Sequence, residues 1–177
     1  MPSQSDLGSA CTSVVTEFHY RRPGQMAAFV VEVEYLSMTE IAKLLHELVW
    51  DYRKFYTDAV QALDASDNDE WKEFKQHQDD SKRAWSTLEA AFGHQAQFSE
   101  HLVRGDLGHG RPTSDITVQA EMQRITAQLE DWAREIEWPG GAESGSWTTT
   151  ADDVTEYDEK TRQFMDDKMW PFTKMIR

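Results

Sequence analysis

A chain of 177 residues, 39% apolar and 11% aromatic, is long enough to bury a core without disulfide or metal staples, and one domain accommodates it. Its formal charge of -14 opposes attraction to nucleic-acid phosphates or to an anionic membrane surface, so direct nucleic-acid binding is not expected. Cys11 is the single cysteine, which excludes an intramolecular disulfide and a thiolate zinc site.

No run of about 18 apolar residues is present to span a bilayer. The N-terminus also lacks the basic start and apolar stretch of a secretory signal. A cytoplasmic protein without membrane contact is the default expectation. Each predicted helical stretch carries more acidic than basic residues, so the charge is distributed rather than gathered on one element.

Met1 to Ala10 is polar and reads as a disordered tail. Val14 to Tyr20 is rich in β-branched and aromatic residues. Phe29, Val31, Val33 and Tyr35 alternate with Val30, Glu32 and Glu34 at the period of a strand. Between these stretches Arg21-Arg22-Pro23-Gly24 carries a turn signal, so the segment predicts a β-hairpin. A hairpin alone is marginal in water, and its apolar face needs the body or another chain to cover it.

Ser37-Met38-Thr39-Glu40 predicts a helix start near residue 38. Ser37 and Glu40 have the spacing of a capping box, and Leu36 and Ile41 that of a hydrophobic staple. Ile41, Leu44, Leu45, Leu48, Tyr52, Phe55, Tyr56, Ala59 and Leu63 then step by three and four along one face, to about residue 64. Trp50 falls nearly opposite that sector, flanked by His46, Arg53 and Thr57.

A second helix is predicted from an Asp67 cap through Trp71, Phe74, Gln78, Ser81, Trp85, Leu88, Phe92, Gln95, Ser99 and Leu102. It is expected to bend or loosen around Gln76 to Asp80, and Gly93 is a second weak point. Gly105 to Pro112 reads as a loop. A third helix follows Pro112-Thr113-Ser114-Asp115, with the seam Val118, Met122, Ile125, Leu129, Trp132 and Ile136. Pro139-Gly140-Gly141 ends it, and Gly141 to Trp147 reads as a flexible connector. The fourth helix follows Thr149 or Thr150, with the stripe Val154, Tyr157, Thr161, Phe164, Met165 and Lys168, and Pro171 bends or ends it.

Four amphipathic helices on short-to-medium loops predict a mainly α fold, an antiparallel four-helix bundle with an N-terminal β-hairpin. Residues 1–36 would form a tail and hairpin arm, and residues 37–177 the bundle.

Catalytic signals are sparse. No Glu-x-x-His, His-Glu-x-x-His or His-x-x-x-His unit occurs, so no metal and no cofactor are expected. Glu73 and His77 read as an ordinary i,i+4 pair. His94 and His101 would share a helix face roughly 10 Å apart, too far to bind one ion. Gly105 to Gly110 lacks the Gly-Lys-Ser/Thr ending of a phosphate loop. Cys11 reads as an unreactive tail thiol rather than a partner of His19. The acidic cluster Asp152, Asp153, Glu156, Asp158 and Glu159 suits a helix N-terminus.

The remaining expectation is a non-enzymatic protein–protein interaction module: an adaptor, assembly subunit or inhibitor. It would act through the Trp50 side of the first helix, with His46 and Arg53, and through the hairpin residues Phe29, Val31, Val33 and Tyr35, whose edge could extend another sheet. The partner would be another protein or a second copy of the chain. Two other readings stand behind it. One is a helical enzyme or sensor with a small-molecule or metal site between helices, using His46, His77, His94 or His101. The other is an acidic inhibitor that imitates nucleic acid.

Overall fold

The computed structural model of the chain describes residues 14–17, 23–56, 68–105, 115–141, 144–165 and 169–177. Several sequence expectations fall outside them: the Met1–Ala10 tail, Cys11, His19, Ala59 and Leu63 of the first stripe, the Asp67 cap, the loop after Gly105 and the Pro112–Ser114 helix start; the first helix itself ends at Lys54, short of the expected stop near residue 64. The chain divides into two compact units. Met38–Ile136 forms one, and Met1–Ser37 with Glu137–Arg177 forms the other.

The first unit is helical. Helix α1 spans Met38–Lys54, beginning where the Ser37–Glu40 capping box predicts. Helix α2 spans Asn68–Phe92, short α3 spans Glu100–Arg104, and α4 spans Asp115–Arg134. Helix α1 packs on α2, α4 and α3. Its buried residues are Ile41, Leu45, Val49, Tyr52 and Arg53, a row rotated by roughly 50° from the centre of the expected stripe, away from its Leu44–Leu48–Phe55 side. Two neighbouring helices, α2 and α4, widen the face that must be covered, so Val49 and Arg53 turn inward while Leu44 and Leu48 are half-buried.

Helix α2 runs unbroken through Gln76 to Asp80, where a bend was expected. Gln76 Nε2 donates to Asp80 Oδ1 at 2.9 Å, and His77 pairs with Glu73 at 3.5 Å, so this polar stretch is tied at i,i+4 spacing. Ser81, polar and buried, donates its hydroxyl to the carbonyl of Tyr52 at 3.1 Å. The expected long helix stops at Phe92, and Gly93 opens a turn. Ser99 then caps α3 by accepting from the Leu102 amide at 3.2 Å. Helix α4 buries Met122, Ile125, Leu129 and Trp132 as its seam predicts.

The second unit is a four-stranded sheet carrying one helix. Strands β1 (Val15–Thr16), β2 (Phe29–Tyr35), β3 (Ser146–Ala151) and β4 (Thr173–Ile176) lie in the order β1-β4-β2-β3. Strand β2 is antiparallel to β3, with Val31 opposite Thr149 and Val33 opposite Trp147, and antiparallel to β4, with Val33 opposite Ile176. Strand β1 is parallel to β4. Helix α5 spans Val154–Met165, and a 3-10 turn over Trp170–Phe172 leads into β4.

This arrangement overturns the four-helix bundle with an N-terminal hairpin. The described residues hold five α-helices and a mixed sheet. The Pro23–Gly24 turn exists, with Gly24 at φ +83°, but β1 and β2 are not paired. Strand β4 enters between them, because Ile176 supplies an apolar side chain for the inner face and its backbone satisfies both neighbours. The amides of Glu17 and Glu32 donate to the carbonyls of Ile176 and Arg177, each at 2.8 Å. The presumed connector and helix caps at 146–150 form β3 instead. A run of three threonines in an alternating sequence suits a pleated, half-buried surface.

Candidate partner-binding face

The exposed side of α1 follows from the same periodicity that buries its other side. Trp50 is 51% exposed, and with His46, Glu47 and Asp51 it lines an open cleft of about 520 Å³. His46 and Trp50 stand one turn apart, as do Glu47 and Asp51, so a ring and an imidazole lie beside a pair of carboxylates. Burial raises the pKa of Asp51, and the neighbouring carboxylates Asp80 and Glu47 raise it further, with Lys54 and His77 opposing. Negative charge is therefore crowded beside the indole.

Arg53, expected on this face, is elsewhere. It is 3% exposed and its Nη2 pairs with Glu121 Oε2 of α4 at 2.6 Å. Its Nε and Nη1 have no hydrogen-bond partner among the described residues. Gly105, at φ +62°, is required beside this pair: a Cβ there would overlap the Glu121 carboxylate. Arg53 is thus a core cation held between α1 and α4.

The β2 residues are also internal. Val31, Val33 and Tyr35 are buried and Phe29 is half-buried against Tyr157 of α5, with ring centroids 5.6 Å apart. The Tyr35 hydroxyl donates to the carbonyl of Pro139 at 2.8 Å, and its ring stacks on Trp138 at 5.0 Å. Burial pushes the Tyr35 phenol pKa upward. Both edges of β2 are paired, so it has no free edge to extend another sheet.

The described histidines do not gather. His94 lies in the turn after Gly93 and His101 in α3, on separate elements rather than one helix face. Among the described residues no group of three or more His, Cys, Asp or Glu is arranged to hold a metal ion. The Asp152–Glu156 cluster caps α5: Asp153 accepts from the Glu156 amide at 2.9 Å, and Glu156 accepts from the Asp152 amide at 2.7 Å and from Lys160 Nζ at 2.7 Å. Those contacts hold the pKa of Glu156 below its ordinary value, with Lys160 the leading cause.

Sequence reasoning missed a second concavity in the helical unit. Tyr52, Phe55 and Tyr56 of the α1 end meet Trp85 of α2 and Glu100 of α3 around a cleft of about 360 Å³. The signal was present: Tyr52, Tyr56 and Trp85 are seam positions whose rings carry hydroxyl or indole N–H groups, which need polar partners when buried. Tyr52 finds one, donating to Glu100 Oε1 at 2.8 Å. Burial first, and the Glu100 carboxylate second, drive the Tyr52 phenol pKa well above its ordinary value.

No helix among the described residues is long and apolar enough to cross a membrane. No family model, curated protein or solved structure matches this chain.

Proposed function

We propose that the chain is a non-catalytic interaction module whose docking face is the exposed side of α1 centred on Trp50, and that its partner is a protein segment presenting arginine or lysine. The observation that carries this reading is a half-exposed indole in an open cleft whose rim holds Glu47 and Asp51. Tryptophan is enriched among interface anchors, and an apolar ring rimmed by polar groups suits that role. A cationic side chain laid on the indole face gains from the ring quadrupole and meets the carboxylates of Glu47 and Asp51 on the rim.

The net charge of -14 favours approach of a basic partner and opposes a symmetric pairing that would bring two such rims together. The hairpin has no part in this proposal, since β2 lies inside its sheet.

The test is titration of an arginine-rich peptide into the full chain, following the Trp50 indole N–H by NMR. Trp50→Ala should weaken binding by at least about 2 kcal/mol, the range of an interface anchor, while leaving the unfolding midpoint unchanged. Added salt should weaken binding by the wild-type protein. Equal affinity in the variant, a loss of fold in it, or a wild-type dimer joined through residue 50 overturns the reading.

A further inference from the structure

The geometry points to a second, independent site: the cleft between the α1 end, α2 and α3 is a pocket for a small N-methylated ammonium ligand. Tyr52, Phe55, Tyr56 and Trp85 line it, together with the carboxylate of Glu100. A volume of about 360 Å³ lies within the range of small-molecule pockets.

Several observations converge on a cation. The aromatic rings form one packed cluster: Tyr52 and Tyr56 have centroids 5.3 Å apart, Tyr52 and Trp85 5.4 Å, and Phe55 and Tyr56 5.2 Å. The face of an aromatic ring carries negative potential, which attracts a poorly hydrated cation more than a strongly hydrated one. One cation already uses this attraction, since the Arg104 guanidinium carbon lies 4.4 Å from the centroid of the Tyr56 ring.

Glu100 supplies the formal charge. Both phenols reach the same oxygen, Oε1, from Tyr52 at 2.8 Å and from Tyr56 at 3.4 Å. No basic side chain pairs with this carboxylate among the described residues. Its negative charge is therefore available to a ligand, while the phenols fix its orientation. N-methylation suits the ligand because a methylated head buries against rings without leaving N–H donors unsatisfied.

Lys82, also in the lining, separates two subclasses of ligand. An ammonium ligand with a carboxylate of its own meets Lys82 favourably, whereas a plain cation is repelled by it.

Choline, glycine betaine and the uncharged choline isostere 3,3-dimethylbutan-1-ol are titrated separately into the full chain, following the indole N–H groups and the amides of 52–56 and 100 by NMR. The expected result is saturable shifts confined to these residues, with choline bound roughly tenfold more tightly than its isostere. Betaine should bind more tightly than choline, and Lys82→Met should remove that advantage. Glu100→Gln retains an acceptor for the Tyr52 hydroxyl and lies on an exposed first turn; it should weaken choline while leaving the isostere unchanged. Equal binding of choline and its isostere overturns the proposal, as do shifts that never saturate or that fall outside the cleft. Because Trp50 is absent from this lining, Trp50→Ala should leave choline binding intact whatever it does to the arginine-rich peptide.

Discussion

The helical unit and the sheet unit use aromatic side chains in opposite ways. In the sheet unit they are internal joints: Tyr35 stacks on Trp138, Trp138 meets Phe172, Trp147 meets Phe164, and Phe29 meets Tyr157. Among the described residues, the large apolar side chains exposed there are not aromatic: Val15, Met26, Val30 and Val154. The helical unit instead leaves Trp50 and Trp71 half exposed and gathers hydroxylated rings around a carboxylate. Rings that only hold elements together end up inside, and the rings left at a surface or around a cleft are the reason both proposed binding sites lie in the helical unit.

The contrast can be broken most severely at β4. Removing the last five residues of this sequence, Thr173–Arg177, takes out a strand bonded on both sides and deletes the fully buried Ile176. Loss of Ile176 alone should remove about 2–5 kcal/mol, and the strand's backbone hydrogen bonds go with it. The sheet unit should then lose its protection from hydrogen exchange while the amides of α1, α2 and α4 keep theirs. Continued protection of residues 29–35 in the truncated chain would show that β4 does not hold β2.

A smaller but still large effect belongs to the helical unit. Glu121→Ala leaves the Arg53 guanidinium, 3% exposed, without its counter-charge, which should destabilise the chain by about 3–5 kcal/mol in urea unfolding. Replacing both residues by methionine removes the buried charge altogether and should recover most of that loss. If the double variant is as unstable as Glu121→Ala, packing rather than charge pairing governs this contact.

These two sites also mark what was legible in the sequence. The helix cores could be read because their signal is local: Met122, Ile125, Leu129 and Trp132 repeat within one segment and are buried together. Trp50 and His46 on the exposed side of α1 were legible for the same reason. Arg53 was not, because its reason for turning inward is Glu121, on another helix and 68 positions away. Strand β4 was hidden likewise. Four residues, Thr-Lys-Met-Ile, are too short for periodicity to register, and their partners lie at the opposite end of the chain. Strand β3 was misread because threonines that suit a strand also suit a helix cap, and only the pairing with β2 decides between them. The 360 Å³ cleft is assembled from three helices, so its rings could be placed on seams but not around one space.

The smallest expected effect separates the units by pH. The Asp51 pKa is raised in the folded chain by burial and by Asp80 and Glu47, so folding favours its protonated form. The stability this contributes is present below the unfolded carboxylate value and is lost as pH rises through the folded one. The Glu156 pKa is lowered by Lys160 and the Asp152 amide, so its contribution is present above the unfolded value and lost as pH falls through the folded one. Asp51→Asn should therefore match or exceed the wild type at neutral pH, by no more than about 0.5 kcal/mol for such an exposed position, and lose that advantage in acid. Glu156→Gln should be the less stable protein at neutral pH and converge with the wild type in acid. Urea unfolding at several pH values reads both differences. Two variants whose differences from the wild type run in the same direction with pH would remove the electrostatic distinction between the crowded Trp50 rim and the satisfied α5 cap.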